Sequence, residues 1–222
     1  MSESGADLGG PSGVYTLVAR VRAVVPVKPF ALAKQRVRQL SAVRRQALAQ
    51  LLVRNVVCAL HGSGSIGEIV LVGGAEAREL AQEFETTWVS DPGLGLNGAV
   101  AAGLACCAPE APRLVVMADL PLLGPDDVRR ALLLARAPIT LFASMAQTGT
   151  NAVLCAGGAS MPPLFGGPSL RRHLDWARRQ GVLARVVRHS GFALDLDTDE
   201  DLSLAVRGGF AFDRESRVGG GA

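Results

Sequence analysis

Asp119 closes an apolar run, Val115-Val116-Met117-Ala118, and is followed at once by Leu120-Pro121. A carboxylate directly after a buried strand is well placed to hold Mg²⁺, which takes oxygen ligands and bridges protein carboxylates to substrate phosphates. The bland alternative is an Asp that shapes a turn before proline. A second acidic run, Asp195-Leu196-Asp197-Thr198-Asp199-Glu200-Asp201, follows a late apolar stretch. Alternation sends Asp195 and Asp197 to one side of the chain, so either is a candidate second ligand. Thr198 or Asp199 reads instead as the cap of a last helix, with Glu200 and Asp201 in its first turn. The basic residues are distributed unevenly. The chain has 21 arginines and only two lysines, and Lys28 and Lys34 share residues 26–36 with Arg36. Such a loop could neutralise a triphosphate, or be no more than a solvated basic surface. Two glycine-bearing segments complete the set: Gly149-Thr150-Asn151 and Phe165-Gly166-Gly167-Pro168-Ser169. Free amides at a helix start, with the Ser169 hydroxyl and His173 one turn on, would suit an anion. Taken singly, each segment is equally an ordinary turn or cap.

The elements that must position these residues follow from periodicity and breakers. Strands are expected at 15–27, 68–72, 86–89, 113–117, 140–143, 152–155, 184–187 and 192–196. Helices are expected from a Ser41 cap to 60, and at 75–84, 96–107, 125–136, 169–180 and 199–206. Strands alternating with helices predict an α/β fold, a mostly parallel sheet covered on both faces. Ligands on such sheets bind beyond the carboxyl ends of the strands, which is where the segments above fall. Residues 1–13 read as a disordered tail, 14–207 as a single domain and 208–222 as a flexible tail.

Composition excludes several classes. With 49% hydrophobic residues and 5% aromatics, aliphatic side chains must fill the core. A net charge of +3 is too mild to argue for nucleic acid. No charge-free apolar stretch reaches the ~18 residues of a membrane span, and the first 13 residues lack the pattern of a signal peptide, so a cytoplasmic protein is expected. Cys58, Cys106, Cys107 and Cys155 form no Cys-x-x-Cys pair and are not at zinc-ligand spacing from His61, His173 or His189. They read as buried small hydrophobes in a reducing compartment. No Gly-x-Gly-x-x-Gly follows the first strand, which removes support for a Rossmann-type oxidoreductase.

Taken in order, the basic Pro-x-Lys loop, Leu96-Asn97-Gly98-Ala99, Asp119-Leu120-Pro121-Leu122-Leu123, Gly149-Thr150-Asn151, Phe165-Gly166-x-x-Ser169 with a downstream Arg172-His173, and Asp195-x-Asp197-Thr198 resemble the guanylyltransferases of coenzyme F-420 biosynthesis, the 2-phospholactate guanylyltransferase (CofC/FbiD) family. The likeness spans about residues 15–207. It implies a three-layer nucleotidyltransferase fold, similar to nucleotide-diphospho-sugar transferases, and an enzyme that joins GTP to a small phosphorylated acid and releases pyrophosphate. By the same resemblance, Thr150, Gly166 and Ser169 would bind the acid. Asp119 would hold Mg²⁺ with Asp197 assisting, Lys28 and Lys34 would face the GTP phosphates, with Lys28 also stabilising the leaving pyrophosphate, and Asn97 would lie near the nucleoside. A homodimer, and hand-over of product to the next enzyme of the pathway, are compatible with it; nucleic acid and membrane are not expected partners.

The chain departs from the family pattern at three places. Ala118 stands where the family usually has Gly, which would keep the backbone farther from the nucleotide. The loop Ser144-Met145-Ala146-Gln147-Thr148 lacks an Asp found there in the family, so the acid is open among 2-phospholactate, phosphoenolpyruvate and 3-phosphoglycerate. Asp199 replaces a Pro, a change expected to be structural. Two other classes fit the same residues: a molybdenum-cofactor or sugar-phosphate nucleotidyltransferase, and a non-catalytic GTP-binding module.

Overall fold

The computed structural model describes residues 20–212; the expected N-terminal tail and the start of the first expected strand lie outside them. Among the described residues, seven strands form one sheet in the order β3-β2-β1-β4-β6-β5-β7. They are β1 (Val21–Pro26), β2 (Ile66–Gly73), β3 (Thr87–Ser90), β4 (Arg113–Val116), β5 (Ile139–Ala143), β6 (Thr150–Cys155) and β7 (Ala184–Val187). Every neighbouring pair is parallel except the two that involve β6. Strands β5 and β6 are buried along their whole length, as the Val/Leu/Ile runs of a sheet covered on both faces require.

Successive residues of a strand face opposite sides, and the core divides accordingly. Ala23, Val25 and Leu71 pack against α1 (Ala42–Gly62), α2 (Ala75–Glu83) and α4 (Pro125–Leu134). Val24, Val70 and Val72 pack against α3 (Gly95–Ala105) and α5 (Ser169–Arg179) on the other face. A third, smaller cluster lies off the sheet. There Val37 and Leu40 meet the first turns of α1, together with Leu194, Leu196 and the last helix, α7 (Asp199–Arg207). A four-residue helical turn, α6 (Ser190–Ala193), precedes it.

The topology creates the functional crevice. From β1 the chain moves outward through β2 and β3, then returns to the other side of β1 for β4. This reversal leaves a gap beyond the carboxyl ends of β1 and β4, the usual ligand position in such sheets. The reversed strand β6 contributes too: lying antiparallel to β4, it presents its first residues where β4 presents its last.

Three expectations are corrected. Residues 192–196 form no strand. Phe192, Leu194 and Leu196 are buried, but the segment starts inside α6 and continues as extended chain that Leu196 ties to the Asp119 carbonyl by its amide, at 3.0 Å. The packed chain also runs beyond 207: Phe210 is buried against the third cluster, and Phe212 lies under the Arg44 guanidinium. Of the cysteines, Cys107 and Cys155 are buried, but Cys58 and Cys106 are exposed; Cys58 sits on the outward face of α1, whose buried positions are its neighbours. Among the described residues, no helix is long and apolar enough to cross a membrane.

Candidate active site

The loop after β1 makes one turn of 3₁₀ helix at Phe30–Leu32 and brings Lys34 back over the crevice in a left-handed conformation, φ 55°. The Lys34 Nζ donates to Asp119 Oδ2 at 2.8 Å and to Asp197 Oδ1 at 3.3 Å. The two carboxylates singled out as metal ligands thus converge on one cationic point, and that point is held by a lysine of the chain itself. Burial disfavours the charge on Lys34, but Asp119 and Asp197 outweigh it and raise its pKa above the ordinary lysine value, so it stays protonated through neutral pH.

Each member of this triad is positioned by its own element. Asp119 follows β4, and the loop beyond it is clamped by Asn55 of α1, whose Nδ2 donates to the carbonyls of Leu120, Pro121 and Leu123 at 3.0–3.2 Å. Asp197 sits one residue before the Thr198 cap of α7. There Asp201 Oδ2 accepts from the amides of Asp197 and Thr198 at 3.0 and 2.8 Å and from the Thr198 hydroxyl. Asp199 accepts from the amides of Arg38 and Gln39, so this departure from the family pattern fastens the basic loop to the start of α7. Arg36 pairs with the second oxygen of Asp197. Of the three cations expected on this loop, only the exposed Lys28 is left without a hydrogen bond or ion pair among the described residues; it lines the crevice.

Asp195 stands beside the triad. Burial first, then the charges of Asp119 and Asp197, push its carboxyl above the usual range, against hydrogen bonds from its own backbone and from Asn151. Asn151 also donates to the carbonyls of Phe192 and Ala193, fixing the acidic loop to β6. Among the described residues, no group of three or more His, Cys, Asp or Glu side chains forms a ready-made metal cage.

The glycine-bearing segments meet at the start of β6 and α5, and there the residues are more committed than expected. The Ser169 hydroxyl accepts from the Thr150 amide at 2.9 Å. The Thr150 hydroxyl contacts His173 Nδ1 at 3.1 Å. All three side chains are buried. The amides of Ser169 and Leu170, expected to be free, are bonded to the carbonyls of Gly167 and Thr148. Gly166 and Gly167 both have positive φ, 85° and 52°, and their exposed backbone forms the outer edge of this unit. Burial holds the His173 pKa down at about 4, with the Arg172 charge adding to it, so this ring is neutral at pH 7. In the loop that lacks the family's Asp, the Ser144 hydroxyl instead accepts from the Gly149 amide.

Asn97 does not line the crevice. Its amide makes a reciprocal pair with the backbone of Phe165, donating to the carbonyl at 3.1 Å and accepting from the amide at 2.8 Å. It joins α3, a wall of the crevice, to the Gly166–Gly167 loop. Asn55 was not singled out by the sequence, and Asn151 only as part of the Gly149-Thr150-Asn151 segment, without a role of its own. Their one signal is an amide side chain within an otherwise apolar stretch, where a buried polar group must have partners.

The crevice has a volume of about 470 Å³ and is lined by Val27, Lys28, Phe30, Lys34, Asp91, Leu96, Ala99, Met117, Ala118, Asp119 and Asp197, among others. That size suits a small-molecule ligand.

A family model described as guanylyl transferase CofC like matches residues 21–211. A phosphoenolpyruvate guanylyltransferase of Rubrobacter xylanophilus is 36% identical over 198 residues, covering 86% of this chain and 97% of that protein. A 3-phospho-D-glycerate guanylyltransferase of Phenylobacterium zucineum is 34% identical over 176 residues, covering 76% of this chain and 81% of that protein. Among solved structures, a Desulfovibrio desulfuricans G20 protein described as a nucleotide-diphospho-sugar transferase superposes with TM-score 0.67 at 15% identity, covering 85% of this chain and 87% of that one. A nucleotidyl transferase from Methanothermobacter thermautotroptrophicus gives 0.60 at 16% identity, covering 85% and 97%. At that identity the two structures speak for the fold alone, the three-layer nucleotide-diphospho-sugar transferase-like architecture.

Proposed function

The chain belongs to the CofC-like guanylyl transferase family, and on that premise we propose that it joins GTP to a phosphorylated three-carbon acid with release of pyrophosphate, a step toward the deazaflavin coenzyme F-420. The relatives named for phosphoenolpyruvate and 3-phospho-D-glycerate make these two acids the first candidates, with 2-phospholactate the third. Such substrates belong to the cytoplasm. The observation that carries the reading is the convergence of Asp119 and Asp197 on one cationic point, beside the uncommitted Lys28, at the carboxyl-end crevice.

The chemistry needs no covalent enzyme intermediate. A phosphate oxygen of the acid, already anionic near neutral pH, attacks the α-phosphorus of GTP. The bond to the bridging oxygen breaks and pyrophosphate leaves with its electron pair, so no general base is required. The protein must hold two mutually repelling anions in line and offset the charge gathering on the leaving group. Asp119 and Asp197 offer hard oxygen donors that fit Mg²⁺, which takes one or two carboxylates and completes its shell with water and phosphate oxygens. An ion held by Asp119 and Asp197 would supply positive charge to offset that of the phosphates. Lys28 faces the departing pyrophosphate. The acid docks along the exposed backbone of Gly166 and Gly167, while Thr150, Ser169 and His173 hold that backbone in shape from beneath.

The test is pyrophosphate release by the full chain with GTP, Mg²⁺ and each of the three acids in turn. Turnover with at least one acid is expected. Asp119→Asn should abolish it while keeping the parent's circular dichroism spectrum, at a melting temperature lowered because the buried Lys34 loses one of its two carboxylate partners. Near-normal turnover in that variant would overturn the assignment of Asp119, and GTP binding without pyrophosphate release for any acid would favour a non-catalytic nucleotide-binding module.

A further inference from the structure

The crevice is strongly polar at one end. Of the polar side chains that line it, Lys28, Lys34, Asp119 and Asp197 gather beyond β1 and β4, and the remainder of the wall is largely apolar. Among the described residues, the single other polar side chain in the lining is Asp91, directly after β3. The sheet order β3-β2-β1-β4 places three strand spacings, roughly 14 Å, between the ends of β3 and β4. That is comparable with the reach of a nucleoside triphosphate from its α-phosphate to the outer edge of its base. With the phosphates at Lys28 and Asp119, the base would lie toward Asp91.

The local structure suits a base. Asp91 is half-buried, and its Oδ1 accepts from the Gly93 amide at 2.9 Å, which fixes the orientation of the carboxylate. A carboxylate has about four acceptor positions, so this bond leaves capacity for a ligand. Gly93 and Gly95 hold positive φ and have nothing within 4 Å of an added Cβ, so the loop lies open beside the crevice. Leu94 on it and Leu96 in the first turn of α3 are exposed, 77% and 41%, and offer apolar surface to the faces of a ring.

We propose that Asp91 is the base-recognition residue of this crevice, its carboxylate accepting from the N1–H and the 2-amino group of guanine and so selecting GTP. The proposal rests on the guanylyl-transfer reading above. Guanine carries two adjacent donors on one edge, and an ionised carboxylate is acceptor-only. Adenine sets its N1 lone pair against the carboxylate and has no 2-amino group. Hypoxanthine keeps N1–H but lacks the amine. Xanthine keeps N1–H and has a carbonyl oxygen in place of the amine, a pattern that calls for one acceptor and one donor, as an Asn side chain provides.

The experiment is equilibrium binding of GTP, ITP, XTP and ATP, each with Mg²⁺, to the full chain by calorimetry, alongside pyrophosphate release. The parent should bind GTP about ten-fold or more above ITP, with XTP and ATP weaker still. Asp91→Asn should lose about 10–100-fold in GTP affinity and bind XTP more tightly than GTP. Asp91→Ala should bind GTP and ITP alike without gaining XTP. A folded Asp91→Asn protein that keeps the parent's order of nucleotides overturns the proposal. If that variant does not fold, an unchanged GTP-to-ITP ratio in Asp91→Ala overturns it, as does a parent that binds GTP and ITP equally. A parent that releases no pyrophosphate with any acid, yet shows the predicted nucleotide ratios, removes the catalytic reading and leaves Asp91 in its role.

Discussion

At the scale of single residues, Lys34 carries two opposed tasks. It holds the acidic loops together through Asp119 and Asp197, and it occupies the point at which a divalent cation would be drawn. Removing it takes Asp119's lysine away and leaves it facing Asp197, which keeps only the exposed Arg36, and uncompensated charge in a partly buried site is costly. Because both carboxylates keep partial exposure, Lys34→Met is expected to cost about 2–3 kcal/mol, less than a fully buried pair, or roughly 5–10 °C in Tm. Mg²⁺ should restore more of that loss in the variant than it adds to the parent. Thermal melts with and without the metal check this, and equal metal responses would contradict it. His173 gives a pH signature. With its pKa held at about 4 against an unfolded value near 6.5, the folded state binds fewer protons than the unfolded between those limits. Stability should therefore be full above about pH 6.5 and fall as pH drops toward 4, by on the order of 2–3 kcal/mol. Urea titrations at pH 7.5 and 5 would show the difference, which His173→Gln should largely remove. Both carboxylates and both lysines were legible as site candidates from their types and positions. That Lys34 would sit on the carboxylates was not, because residues 85 and 163 positions apart leave no local trace of contact.

At the scale of elements, α3 lies so close to the sheet that Gly103 is required for packing. A Cβ there would meet Val24 Cγ1 at 2.4 Å and Val72 Cγ2 at 2.7 Å, side chains with no exposed surface and no room to withdraw. Alanine gains ~1 kcal/mol of helix propensity over glycine, but overpacking costs about 1–3 kcal/mol and should win at two fully buried contacts. Gly103→Ala is expected to lower Tm by about 2–6 °C. Because Leu96 and Ala99 of α3 also line the crevice, it should weaken GTP binding as well, by calorimetry. Most elements were legible: Ser41 caps α1 by accepting from the Arg44 amide, and Pro125 opens α4. The failure at 192–196 is instructive. Its alternation reports correctly which side chains are buried, yet alternation does not reveal whether a neighbouring strand has a free edge to receive it. The pair of carbonyls held by Asn151 takes the place of a ladder. Asn97 misled for a related reason. Its place near a nucleoside was implied by the family resemblance alone, and the partner that uses up its donor and acceptor, Phe165, lies 68 residues away.

At the scale of the whole molecule, alternating strand and helix signals were enough to forecast a covered, mostly parallel sheet. The reversal of β6 and the strand order rest on long-range pairing that no short segment encodes. The consequence reaches back to the small third cluster, which packs Val37 and Leu40 with Leu194, Leu196 and α7 away from the sheet. Lys34 and Asp197 stand on its border. A cluster of this size, near one end of the packed chain, has the makings of a separate cooperative unit that opens below the free energy of global unfolding. Hydrogen exchange should then find the amides of α7 and residues 194–198 exchanging well before those of β1 and β4, and GTP with Mg²⁺ should slow the first group selectively. Uniform exchange across both groups would deny the unit its independence. If it stands, a cation bound between Asp119 and Asp197 would enter and leave through a brief melting of one corner of the molecule while the sheet stays closed.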